Sequence, residues 1–170
     1  MSAAELPAAL VVALDFVAWL AIHLGAAWVG TNLPSSVFAD DSWLYRTRSW
    51  ERDGELYVRV FRVGLWKRLL PDGAAIIRRG FPKRYLRDRS DVYLEDFRRE
   101  TRRAELTHYL AMLPAPVFFV WNPWPVGIFM LAYAAATNLP CVVTQRYNRL
   151  RLGRVLARRY SRQHRTERCG

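Results

Sequence analysis

Thr101-Arg102-Arg103-Ala104-Glu105-Leu106-Thr107-His108 is where a charged segment runs into an apolar one. Dense mixed charge precedes it. From Leu106 to Trp121 the only ionisable group that can carry charge near neutrality is His108. On a helix, Arg102, Glu105 and His108 follow one another at three-residue spacing and share a face. A carboxylate and an imidazole thus fall where water should meet hydrocarbon. An ionisable pair at the edge of a membrane segment is a functional candidate, because keeping such groups there is costly. The bland alternative is an interfacial histidine beside a Glu105–Arg102 pair.

Outward from this junction, the basic residues are segregated. All 26 Lys and Arg residues of the 170-residue chain lie between Arg46 and Arg103 or between Arg146 and Arg168. A net charge of +11 with pI near 10.5 brings nucleic acid to mind. A soluble basic protein interleaves its charges, however, whereas apolar blocks free of Lys and Arg obey the positive-inside rule of membrane proteins. No nucleic-acid partner is therefore expected. The two cysteines, Cys141 and Cys169, make neither a disulfide framework nor a zinc site.

The expected fold is all-α: an integral membrane protein with about three transmembrane helices, at residues 8–29, 106–121 and 126–143. A cytoplasmic amphipathic loop at 46–105 and a basic cytoplasmic tail at 144–170 complete one membrane domain, 1–170. Ala8 to Val29 is long enough for roughly 30 Å of hydrocarbon. It lacks a basic n-region and reads as an anchor, not a signal peptide. Asp15, Trp19 and His23 fall on one face of it and should turn toward other helices or a wet cavity. Turn chemistry is expected from Gly30 to Ser36. Glu55 to Leu70 reads as an amphipathic segment on the cytoplasmic surface, Pro71-Asp72-Gly73 as a turn, and Ala74 to Arg89 as a basic stretch near anionic headgroups. Ser90-Asp91 can cap the next helix, which Pro114 and Pro116 kink or break. Asn138-Leu139-Pro140 reads equally as a ligand-lining break or a packing kink.

Two blocks together resemble the glycosyl-4,4'-diaponeurosporenoate acyltransferases. They are Thr101 to His108 followed by Leu113-Pro114, and Asn138-Leu139-Pro140 followed by Gln145-Arg146-Tyr147-Asn148-Arg149 and Arg151-Leu152. Gly30-Thr31 with Pro34, and Trp66-Lys67 with Asp72-Gly73, are weaker matches. The resemblance does not extend to His23 or Cys141, which argues against a cysteine acyl-enzyme. It implies esterification of a fatty acyl chain onto a sugar hydroxyl of a glycosylated carotenoid acid, the last step of staphyloxanthin synthesis, at the membrane. The implied partners are a lipid-linked acyl acceptor, a fatty acyl donor and membrane lipids.

Acyl transfer needs a base for the attacking hydroxyl, a donor for the oxyanion and a water-poor site. His108 is the candidate base and Glu105 its orienting partner. Arg103, Asn138, Gln145, Arg146, Tyr147, Asn148 and Arg149 are the candidate substrate-binding residues, guanidinium being suited to phosphate or carboxylate. With the N-terminus outside, the two groups meet at the cytoplasmic face of the cell membrane. No cofactor is expected, and no metal: Glu and His at i,i+3 are a ligand pair, but further ligands are lacking. The alternatives are a non-catalytic membrane scaffold or chaperone for lipid enzymes, and an intramembrane, metal-assisted hydrolase.

Overall fold

A computed structural model describes residues 7–39, 42–70 and 90–169, with side chains beyond Arg165 and at 163 excepted at the C-terminal end. The expected turn at Pro71-Asp72-Gly73 and the basic stretch Ala74 to Arg89 lie outside the described residues. Among the described residues the chain is helical throughout and contains no strand: α1 (Ala8–Asn32), α2 (Glu55–Arg59), α3 (Val63–Trp66), α4 (Asp91–Met112) and α5 (Trp124–Cys169), with 3-10 turns between them. Two helices, α1 and α5, are long and apolar enough to cross a membrane. The second apolar block is not one helix. α4 stops at Met112, and Ala115–Val120 is a 3-10 turn that follows Pro114, whose missing N–H and fixed φ end the α ladder.

The chain divides into two compact units, the described parts of Met1–Leu33 with Ala104–Val142, and of Pro34–Arg103 with Val143–Gly170. One boundary follows the end of α1, and the other two fall inside α4 and α5.

In the first unit, α1 runs three residues further than its apolar composition predicts. Thr31 Oγ1 donates to the carbonyls of Ala27 and Trp28, and Asn32 Nδ2 donates to that of Trp28. These back-bonds satisfy polar side chains inside helical geometry, so the polar sequence does not end the helix. Pro34, which biases Leu33 to the extended backbone it adopts, does. Leu10, Phe16, Val17, Leu20, Leu24 and Trp28 leave most of α1 clothed in exposed apolar groups. Packing uses small residues, Ala26, Ala111, Ala115 and Ala134 being buried, as helices do where close approach supplies the attraction. Gly30 is the closest case: a Cβ there would overlap Thr107 Oγ1. Trp19 stacks on Phe118 at 4.7 Å between centroids and meets the edge of Tyr133 at 5.2 Å. Its Nε1 points at Met130 Sδ, 3.3 Å away.

In the second unit, Ser90 caps α4, its Oγ accepting from Tyr93 N at 3.3 Å. Leu94 and Phe97 on α4 pack with Leu152 and Leu156 on α5; spacings of three and four put each pair on one helical face. A second cluster joins Tyr57, Val63 and Leu150, with Trp66, Val143 and Tyr147 against it. Asp91 accepts from Arg159 Nη1 at 2.6 Å. The segment Glu55 to Leu70 forms α2, α3 and a 3-10 turn at Lys67–Leu69. Left-handed backbone at Arg62, φ 47°, interrupts it. Its amphipathic character survives: Tyr57 and Val63 are buried, while Val58, Val60, Leu65 and Leu69 are exposed beside Arg59, Arg62 and Arg68.

Candidate functional site

α4 carries His108 in the first unit, half-buried. Its Nδ1 lies 2.9 Å from Asn138 Oδ1 on α5. Asn138 is buried, although Pro140 follows two residues later. α5 passes through Pro140 without ending, so the Asn138-Leu139-Pro140 sequence marks no break in secondary structure. The Asn138 carboxamide also donates through Nδ2 to Ala134 O at 3.0 Å and to Thr137 Oγ1 at 3.1 Å. A buried amide in an apolar helix is tolerable only when its polar atoms are engaged, and here both ends are.

Glu105 is fully buried one turn before His108. Its Oε1 accepts from Tyr109 Oη at 3.1 Å. Asp15, flagged as a polar group on α1, is likewise a buried acceptor, taking Trp121 Nε1 at 2.8 Å and Asn122 Nδ2 at 2.7 Å. His23 does not share that role. It is exposed, and its Nδ1 lies 2.9 Å from the Trp19 carbonyl of its own helix.

The other sequence-selected residues belong to the second unit. Arg146 is buried on Glu51, Nε 2.8 Å from Oε1 and Nη2 3.1 Å from Oε2. Its Nη1 also donates to Leu44 O at 3.3 Å. Glu51 in turn accepts the backbone N–H of Arg48 at 2.6 Å and the hydroxyl of Tyr57 at 2.5 Å. Burial pushes the Glu51 carboxyl up, but the Arg146 guanidinium, the Arg48 amide and the Tyr57 hydroxyl outweigh it and hold the group below its ordinary value. The same burial, with the carboxylate beside it, drives the Tyr57 phenol well up. Arg149 is buried with its guanidinium 5.6 Å from the Tyr45 ring centroid, and Arg102 lies 5.8 Å from the same ring. Arg102 also donates to Phe38 O and Ala39 O, both at 2.7 Å. Arg103 bonds Glu100 at 3.0 Å and lies over Phe38 at 4.7 Å. Tyr147 has Lys67 Nζ over its ring at 4.8 Å. Burial, with the charges of Arg151 and Arg68, lowers that ammonium below its ordinary range. Gln145 and Asn148 are half-buried.

The structure therefore brings His108 together with Asn138 and gives Arg146 a carboxylate partner. Sequence reasoning missed Glu51, Tyr57 and Tyr45. Glu51 is an ordinary acidic residue in a polar run, and only its seat opposite Arg146 distinguishes it. Among the described residues no group of three His, Cys, Asp or Glu side chains is gathered to hold a metal.

A helical chain with two apolar helices of membrane-crossing length is consistent with a protein that associates with a membrane. The chain belongs to the glycosyl-4,4'-diaponeurosporenoate acyltransferase family, whose sequence profile matches residues 41–158, and it is an acyltransferase by that membership. It is 35% identical over 151 residues to the glycosyl-4,4'-diaponeurosporenoate acyltransferase of Staphylococcus haemolyticus (strain JCSC1435), covering 87% of this chain and 86% of that one. To the enzyme of the same name from Staphylococcus aureus (strain bovine RF122 / ET3-1) it is 33% identical over 138 residues, covering 81% and 83%. The corresponding protein of S. aureus strain Newman is 31% identical over the same length. No solved structure matches the chain.

Proposed function

We propose that this protein esterifies a fatty acyl chain onto a sugar hydroxyl of a glycosylated carotenoid or related glycolipid, at the membrane, with His108 as general base. The observation that carries the reading is the His108 ring, half-buried in the apolar unit and anchored at Nδ1 by Asn138. The names of the relatives supply the acceptor class. In the reaction His108 takes the proton of the sugar hydroxyl as its oxygen attacks the acyl carbonyl carbon. The bond to the donor's leaving group then breaks, and the imidazolium returns the proton to that group. Glu105, buried a turn away, is the second candidate for the catalytic machinery.

The chain is proposed to pass the membrane more than once, with its N-terminus outside and both basic blocks in the cytoplasm. The support is the confinement of every Lys and Arg to two blocks. Impermeant labelling of Ser49→Cys in intact cells would refute this orientation.

Pigment and lipid profiling of a deletion strain against its complement tests the function. An acylated glycolipid should vanish on deletion and return with the wild-type gene. It should not return with His108→Ala, for which turnover should fall by about 10²–10⁴-fold in purified, inserted protein. An unchanged lipid and pigment profile on deletion would overturn the reading.

A further inference from the structure

We infer that Asn138 is a positioning residue that fixes His108 in the Nδ1–H tautomer, so that Nε2 is the proton-accepting atom. The inference rests on His108 being the base.

The argument runs through the two ends of one carboxamide. Thr137 Oγ1 lies 2.8 Å from Tyr133 O and 3.3 Å from Ala134 O, so its single hydrogen is committed to backbone carbonyls. A lone pair is left for Asn138, whose Nδ2 is 3.1 Å away. The same Nδ2 lies 3.0 Å from Ala134 O, which can only accept. Turning the amide over would set its oxygen against a carbonyl oxygen and a committed hydroxyl. The NH2 end is therefore assigned by its surroundings, and Oδ1 faces the imidazole. A carboxamide oxygen cannot donate. The hydrogen of the 2.9 Å contact must come from His108 Nδ1, and a neutral ring with a proton on Nδ1 has its lone pair on Nε2.

This contact survives the reaction. When Nε2 takes the hydroxyl proton, Nδ1–H still donates to Asn138, so ring orientation is the same before and after transfer. Glu105, one turn earlier on α4, and Tyr109, next in sequence, are the ionisable neighbours on the His108 helix. Neither can substitute for the amide in selecting a tautomer at Nδ1, because Asn138 already occupies it. The residue read from sequence as a substrate contact thus acts on the base itself.

Nitrogen NMR of the full-length protein in nanodiscs, 15N-labelled at histidine, tests this. The His108 signals are assigned by their loss in His108→Gln. The expected spectrum shows neutral His108 with a protonated Nδ1 and a bare Nε2. Asn138→Leu should mix the tautomers and lower turnover by about 10- to 100-fold, with the protein still inserted. Asn138→Asp keeps an acceptor at Nδ1 but sets its second oxygen against the Ala134 carbonyl; where it accumulates, Nδ1 should stay protonated, with more turnover than Asn138→Leu. A wild-type ring protonated on Nε2, or an Asn138→Leu variant with unchanged tautomer and turnover, overturns the inference. Should Asn138→Leu not accumulate, the wild-type spectrum still decides, since protonation on Nε2 overturns the inference. Full turnover in His108→Gln would instead overturn the base assignment, and so separates failure of the proposed function from failure of the Asn138 contact.

Discussion

The Arg146 guanidinium lies along the Glu51 carboxylate, two nitrogens on two oxygens at 2.8 and 3.1 Å, although the two residues are 95 positions apart in the chain. Arg146→Lys keeps the charge but cannot reproduce the fork. Breaking a buried pair strands a charge, at about 3–5 kcal/mol. Arg146→Lys and Glu51→Gln should therefore both lower thermal stability in detergent and the yield of inserted protein. Unaltered unfolding with a weakened dependence on acyl-donor concentration would instead return Arg146 to the role of a substrate contact.

Glu51 also sets an acid limit. Its folded-state carboxyl is held below the ordinary value of 4.5, since Arg146, Arg48 and Tyr57 together overcome its burial. A depressed carboxylate contributes stability that is fully present above the unfolded value and is lost as pH falls through the folded one. Unfolding followed from pH 6 downward should show stability declining below about 4.5. In Glu51→Gln the decline should be shallower; an identical slope in the two proteins would refute the assignment.

Gly30 is required by contact with Thr107. A methyl at position 30 overlaps Thr107 Oγ1, while Thr107 Cβ is 3.4 Å from it. Gly30→Ala should cost about 1–3 kcal/mol by overpacking. Adding Thr107→Ala removes the overlapping oxygen and should recover most of the loss, whereas Thr107→Ser should not. Thermal unfolding of the wild type and these three variants in one detergent checks the coupling.

Asp15 Oδ1 is the shared acceptor of Trp121 and Asn122. Asp15→Leu leaves two donors without it, at about 1–3 kcal/mol for each buried group. Asp15→Asn retains a carbonyl oxygen in the same place and should be the milder change. Equal stability of the two variants, read from unfolding curves, would show that the contact contributes nothing.

Much of this architecture was readable from local signals. The Ser90 cap, the end of α4 ahead of Pro114 and the apolar run of α1 depend on neighbours within a turn or two. Pro140 reads equally as a break or a packing kink; α5 continues through it, and Asn138, two residues earlier, is held by the helix's own Ala134 carbonyl. Candidate residues were found more readily than their partners. His108 and Asn138 were both selected from sequence, but separately, as base and substrate contact; the contact between them spans 30 positions. Arg146 was selected for what a guanidinium can bind, and Glu51 was overlooked because no periodicity marks a pair so distant. Asp15 and His23 share a face by spacing, but burial separates them.

The corner that presents Glu51 has a consequence for how this family member can be improved. Arg52 and Asp53 hold left-handed backbone at φ 45° and 51°, immediately before Gly54 at φ 94°. Residues with a Cβ adopt that region at about 1–2 kcal/mol each. The side chains of Arg52 and Asp53 are exposed, so neither position is held by packing. Arg52→Gly or Asp53→Gly should therefore raise the melting temperature without disturbing Glu51, a reserve of stability open to an engineer.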